Sequence, residues 1–510
     1  MPLELRGHEY PRQHTRVLPF PNALHELFRR PHGLIEEEWP PLQVIYLDDY
    51  LKRLDCKTVI VEDHYVDRDY ISDLALLYSR SLRNYPNYCY RLHFFSRAFD
   101  RQRWRNYVTR TSGRGRRQAH AQLQEQYLGF CVIRPLAGSP IGRTVLKTFG
   151  EHADTGERRA FGALREYTVH LGGFEFRVSG LPFQQQDQGV SACATTALWS
   201  AIHCVAGLEG VAAPTPAAIT ESASRYLLDA GRPLPSESLS LDQMCEATRT
   251  AGLAPLMIQS VSPEIDRAQM SAYIRSGFAP VLIIKPSTPG DYHAVCAVGV
   301  KLGEVAPPAP NVHFRDFSTA VRGVYVHDDR LGPYASVSVY PHTVTDPLKG
   351  EVVVRTGLTT RWPGNEVEAE DSLLEAMIVP VPVKLRLTLA RLRQLGFSIA
   401  DACGMALSHG TQVTMNCRYM LGTKYRQLAP TFGLTRRGLY DLVCGTVMSR
   451  YVGIIELTAG DSPLLDVLLD ATETQANPAV LACVRRAALN EIDLPFVREM
   501  ATQLGARSLA

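Results

Sequence analysis

The chain has 510 residues, 45% of them hydrophobic and 21% charged, with a formal net charge of +2. That length suggests two to four domains, and the balance is that of a soluble globular protein. The near-zero charge excludes bulk attraction to polyanions, and no apolar run reaches the roughly eighteen residues of a membrane helix.

The N-terminus, MPLELRGHEYPRQHTR, carries charge and proline where a secretory signal needs an apolar stretch, so a cytoplasmic location is expected. His8, Glu9 and His14 lack the i, i+4 spacing of a metalloprotease helix, and Pro11 would break such a helix. The eleven cysteines are scattered with no C-x-x-C, which argues against a disulfide framework and a zinc ribbon. Neither a metal nor a cofactor is expected.

Residues 1–43 are rich in proline and charge, with one short helical stretch near Ala23–Arg30. Leu51–Leu54 and Thr58–Val61 read as helix then strand, a helix is expected from about Asp69 to Leu82, and 88–95 reads as a strand. Residues 97–117 hold eight arginines and one acid. This is either a solvated helix with a flexible loop or a site for an anionic partner, nucleic acid or an acidic protein surface, with Trp104 and Tyr107 as stacking faces. Residues 124–146 carry a strand and a Gly/Pro turn. The GSPIGRT within them is too short for a phosphate loop and has arginine in place of lysine. Residues 165–183 read as a hairpin about Gly172 and Gly173.

FQQQDQGVSACATTALWSAIH, 183–203, follows. From Cys193 the spacing of Ala197, Leu198, Ala201, Ile202 and Val205 predicts a helix with one buried face. A thiol at a helix start meets unpaired N–H groups and the positive end of the macrodipole, which favour a thiolate nucleophile. Helices are expected over 215–229, 239–252 and 263–276, and strands near 254–258, 280–285, 293–300 and 323–328. The strand at 293–300 begins at His293, and the one at 323–328 ends at Asp328 and Asp329. Either acid can orient the imidazole or cap the RLGP turn. His203 and His327 are expected away from this group. After about 345, PVPVKLRLTLARLRQLGFSIADACGMAL reads as helical, TQVTMNCRYML and RYVGIIELT as strands, and LLDVLLDAT and PAVLACVRRAAL as either. This region is expected to complete a sheet begun near the N-terminus.

The order glutamine run, Cys-helix, strand-turn-His-Ala-Val, strand-Asp resembles papain-like cysteine peptidases. More narrowly, it is similar to those that trim double-glycine leaders from bacteriocins, over roughly residues 180–345. The resemblance implies Cys193 as nucleophile, His293 as base and Asp328 as orienting acid. Gln186 or Gln188 would be the oxyanion amide, one residue too far from the cysteine and one too close respectively. Ala194 and Thr195 stand where the leader peptidases have Gly-Pro, and the segment from the His strand to the Asp strand is longer. The expected fold is α+β: a papain-like core over 176–345 flanked by α/β regions at 1–175 and 346–510. The expected reaction is hydrolysis of a peptide or isopeptide bond through a thioester, with small residues beside the bond suggested by Val190, Ala192 and Ala194. Transfer to an amine, glutamine deamidation, a retired scaffold and a bacterial effector or defence protease awaiting a partner are the alternatives.

Overall fold

In a computed structural model the described residues are 15–20, 24–29, 40–136, 138–151, 157–187, 189–190, 192–225, 238–287, 292–345, 351–361, 369–407, 412–474 and 479–509. The expectations for residues 1–14 and Gln188, and for 226–229 of the helix expected over 215–229, lie outside them.

The chain opens with β1 (Thr15–Pro19), α1 (Leu24–Arg29), α2 (Leu42–Arg53), β2 (Thr58–Tyr65), α3 (Arg68–Leu76) and β3 (Cys89–Phe95). Then come α4 (Arg101–Val108), α5 (Gly113–Gln126), β4 (Tyr127–Ile133) and β5 (Ile141–Leu146). Strands β1 to β5 form one antiparallel sheet in sequence order. β2 is TVIVEDHY, whose β-branched run fits a pleated, half-buried surface. The α2 helix begins nine residues before the expected segment, at Leu42. The Arg-rich stretch forms two helices in place of a helix and loop, and Trp104 and Tyr107 are buried against Phe99 and Phe174, so neither is a stacking face.

Next are β6 (Arg158–Phe161), β7 (Arg165–Leu171) and β8 (Phe174–Gly180). β7 and β8 are the expected hairpin, and both turn glycines have positive φ, 57° at Gly172 and 76° at Gly173. α6 (Cys193–Glu209), α7 (Pro216–Ala223), α8 (Leu241–Thr250), β9 (Leu253–Gln259) and α9 (Pro263–Arg275) follow. Thr215, Ser240 and Ser262 cap α7, α8 and α9 through their hydroxyls. α6 is buried continuously from Ala194 to Ala206, not along one face. A helix apolar nearly all round belongs in the middle of a core.

The central sheet uses β10 (Val281–Pro286), β11 (His293–Leu302), β13 (Val321–Asp328), β14 (Gly332–Thr345), β15 (Val352–Arg361) and β16 (Ala369–Pro382), with β12 (Phe314–Asp316) in the segment after β11. These six strands pair antiparallel in the order β10-β11-β13-β14-β15-β16, and β16 pairs back onto β10, so the barrel closes. β9 extends it at β16 and β6 at β11. The boundary expected after 345 falls inside this barrel.

The chain ends with α10 (Leu389–Ala406), β17 (Val413–Leu421), α11 (Gly422–Leu428), α12 (Arg436–Tyr440), β18 (Tyr451–Ala459), β19 (Ser462–Asp470), β20 (Val480–Arg485), α13 (Leu494–Gln503) and β21 (Arg507–Leu509). The last sheet is β12-β17-β18-β19-β20-β21. Its outer partner comes from the long insertion after β11, so it does not complete the N-terminal sheet. Its inner pairs are antiparallel, and only the two edge pairings are parallel. Antiparallel pairing throughout the N-terminal sheet and in the inner pairs of the last one makes the flanking regions α+β, where α/β was expected. Among the described residues no helix is long and apolar enough to cross a membrane.

Candidate active site

The position of Cys193, the expected nucleophile, is set by helix geometry. Cys193 is the first residue of α6; Ala192 at the N-cap offers no side-chain acceptor, and the first turn carries no acid. The free N–H groups of that turn are left to act on whatever sits beside them, here the cysteine. Cys193 is partly exposed, Cys444 is exposed, and the other nine cysteines are buried. Burial pushes the thiols of Cys56, Cys131 and Cys204 up to about 12, which makes them inert near neutral pH.

β11 and β13 bring the other two groups in. His293 opens β11 and Asp328 closes β13, at the same end of the barrel, where Cys296 faces His327 in the register. His293 Nε2 stands 2.9 Å from Asp328 Oδ1 and 3.6 Å from Asp329 Oδ1, so Asp328 makes the hydrogen bond and Asp329 does not. The Cys193 side chain hydrogen-bonds the same imidazole. With Nε2 committed to Asp328, Nδ1 is the nitrogen left for sulfur. Cys193, His293 and Asp328 therefore lie in one hydrogen-bonded chain.

The electrostatics favour a charged ring. Burial works to lower the His293 pKa, but the Asp328 and Asp329 carboxylates and the hydrogen bonds outweigh it and raise it to about 10. Burial works against ionised Asp328, yet the His293 charge and hydrogen bond hold its pKa well below the usual carboxylate range. For Asp329, burial and then repulsion from Asp328 win over the His293 charge and raise its pKa to about 6. The pair thus splits into a firmly ionised acid and one that keeps its proton in mild acid. Asp328 also takes the turn-capping role, accepting from the Arg330 backbone N–H at 3.0 Å.

His293, Asp328 and Asp329 each offer a ligand atom within 4.8 Å of the others, a donor set that could hold a small cation. Arg330 already serves that region. Its Nε stands 3.5 Å from Asp328 Oδ1 and its backbone N–H donates to the same oxygen. Positive charge is therefore supplied by the chain itself, and the set fits a base and its acid better than a metal.

The glutamine run is held from the N-terminal sheet. Buried Arg134, just after β4, donates from Nη2 to the carbonyls of Ser139 and Gln185 at 2.9 and 2.8 Å, and its Nη1 lies 3.5 Å from Asp187 Oδ2. Asp187 Oδ1 accepts from the backbone N–H groups of Gly189 and Val190, which shapes the loop entering Cys193. Upstream, Ser200 on α6 donates to the Pro182 carbonyl at 2.6 Å, so the run lies back along the helix. Gln185 is buried and bonded to backbone. Gln184 is 2% exposed, and its Nε2 has no hydrogen-bond partner among the described residues. Gln186 is exposed and Gln188 lies outside the described residues. The sequence offered no signal for Arg134 and none that set Gln184 apart within the glutamine run.

Val190, Ala192 and Ala194 are all buried. His203 is a core residue bonded to Tyr167. His327 sits among Phe183, Tyr334 and the Pro182 carbonyl, where burial lowers its pKa to about 3.

Comparison with known proteins finds no family model that matches the chain and no curated protein significantly similar to it.

Proposed function

We propose that the chain is a cysteine peptidase with a papain-like core, acting on a peptide or isopeptide bond. The observation that carries this reading is the hydrogen-bonded series Cys193–His293–Asp328 at the start of a buried, uncapped helix. In the reaction, the Cys193 thiolate attacks the scissile carbonyl carbon and His293 gives its proton to the leaving amine. The product is a thioester. Neutral His293 then takes a proton from water, the hydroxide attacks the thioester, and the thiolate leaves. Asp328 holds the ring and supports its charge. The developing oxyanion would be met by the Cys193 backbone N–H and an amide of the glutamine run. Gln184 has the spare buried donor for this.

The test is alkylation by iodoacetamide with peptide mapping, together with hydrolysis of a peptide library. Wild type should be labelled at Cys193 near neutral pH and should cleave the library, and Cys193→Ala should do neither. Full cleavage by Cys193→Ala would end this reading. Product analysis with a labelled amine present separates hydrolysis from transfer.

A further inference from the structure

We propose that helices α4 and α5 form a docking surface for the phosphate backbone of double-stranded nucleic acid. The chain as a whole is nearly balanced, with 54 basic and 52 acidic side chains. Residues 97–117 are not: eight arginines face one acid, Asp100, whose carboxylate caps α4. Among the described residues, ion pairs tie up arginines across the whole molecule, but none involves an arginine of this stretch. Arg101, Arg103, Arg105, Arg110, Arg114 and Arg117 are exposed.

The surface is ordered from beneath. Trp104 and Tyr107 anchor α4 in the N-terminal core, and Ala119 and Leu123 anchor α5. Arg116 donates to the carbonyls of Val108 and Gly173, fixing the two helices to each other and to the β7–β8 turn. Arg103 and Arg110 also bond locally, to the Tyr107 hydroxyl and the Gly115 carbonyl, which leaves Arg101, Arg105, Arg114 and Arg117 standing on a rigid base.

Three arginines, 114, 116 and 117, fall in the opening turns of α5, whose first turn has no acid. Cations at that end oppose the helix macrodipole and cost stability in the free protein. A bound polyanion reverses that cost.

The composition selects the partner. Between the arginines lie Gln102, Asn106, Thr109, Thr111 and Ser112, all exposed. Arginine with small polar donors suits phosphate and sugar oxygens. A protein partner would call for exposed aromatic or methionine anchors, and the aromatics of α4 and α5, Trp104 and Tyr107, are buried. Their burial also removes the stacking platform that single strands use. A duplex, read through its backbone without base contacts, remains.

The test measures fluorescence polarisation of labelled DNA and RNA duplexes with the full chain across a salt series. Six phosphate contacts predict a slope of about 5 in log Kd against log salt, hence about a thousandfold weaker binding from 50 to 200 mM. A variant carrying Arg101→Gln, Arg105→Gln, Arg114→Gln and Arg117→Gln should keep or raise its melting temperature and lose about 3 to 4 from that slope. Binding of either duplex on these terms supports the proposal and identifies its source. Absence of duplex binding at low salt, equal binding by the variant, tighter binding of a single strand, or displacement by poly-glutamate as effective as by unlabelled duplex would each overturn it. None of these readouts depends on peptidase activity.

Discussion

Arg134 and Asp187 meet 3.5 Å apart with both side chains at most 2% exposed. One follows the last residue of β4 in the N-terminal sheet and the other lies in the loop six residues before Cys193. Asp73 lies 3.9 Å from the same guanidinium, and burial, followed by repulsion from Asp187, pushes its carboxyl well above the usual range. Arg134 thus faces one acid that is easily kept neutral and one that shapes the Cys193 loop. Arg134→Met should leave Asp187 buried without its cation, a loss of about 3–5 kcal/mol in stability. Chemical denaturation measures that loss. The labelling rate at Cys193, followed well below the unfolding midpoint, should also fall, because the backbone of Gly189 and Val190 loses its fixed acceptor. Labelling at the wild-type rate in a destabilised protein would show that the pair serves stability alone.

The His293 ring should leave its mark on stability as pH rises. Its folded pKa is raised to about 10, against roughly 6.5 for an unfolded histidine. Between those values the folded chain holds a proton that the unfolded chain has released. This contribution is full below about pH 6.5 and disappears as pH rises through 10, at up to about 1.4 kcal/mol per pH unit. Wild type should therefore lose more melting temperature from pH 7 to pH 10 than His293→Gln does. Parallel curves for the two proteins would mean that the ring is neutral in the folded state.

Asp328 and Asp329 should part company on substitution. Asp328→Asn removes the charge that supports the imidazolium and should slow turnover by about 10²–10⁴-fold, as for other orienting acids. Asp329→Asn removes a carboxyl that makes no hydrogen bond to the ring, and turnover should change by less than about tenfold. Its effect on stability runs the other way. A carboxyl raised to about 6 stabilises fully only below about pH 3.9 and loses that contribution as pH climbs through 6. Asp329→Asn should therefore melt higher than wild type at pH 8, with the gap closing by pH 4. Equal losses of turnover in the two variants would remove the distinction.

The parts legible in the sequence are those written in local chemistry. The helix at Cys193, the strands at His293 and Asp328 and the hairpin about Gly172–Gly173 announce themselves through caps, turns and apolar runs. Their approach to one another follows from pairing β11 with β13. Barrel closure was not legible, because β16 meets β10 some ninety residues away and carries no signal of its partner. The same holds for β12, three residues of an insertion that align with β17. Trp104 misled because an aromatic amid arginines looks exposed, whereas its i, i+3 relation to Tyr107 marks the inward face. Arg134 was invisible for the opposite reason: a lone arginine after a strand reads as surface until two buried acids are found around it.

Gln184 offers the sharpest separation of chemistry from structure. Its buried Nε2 lacks a partner among the described residues, and an unmet donor costs about 1–3 kcal/mol. Gln184→Met keeps the volume and removes that donor, so the melting temperature should hold or rise. Alkylation by iodoacetamide develops no oxyanion, so labelling of Cys193 should continue at the wild-type rate. Amide hydrolysis passes through a tetrahedral oxyanion, and its rate should fall by about 10²–10³-fold if this amide meets the oxygen. Gln186→Ala, at an exposed position, should leave both rates within about threefold of wild type. Hydrolysis by Gln184→Met at the wild-type rate would pass the oxyanion role to Gln186 or Gln188. Loss of labelling and hydrolysis together would mean instead that Gln184 holds the loop in shape.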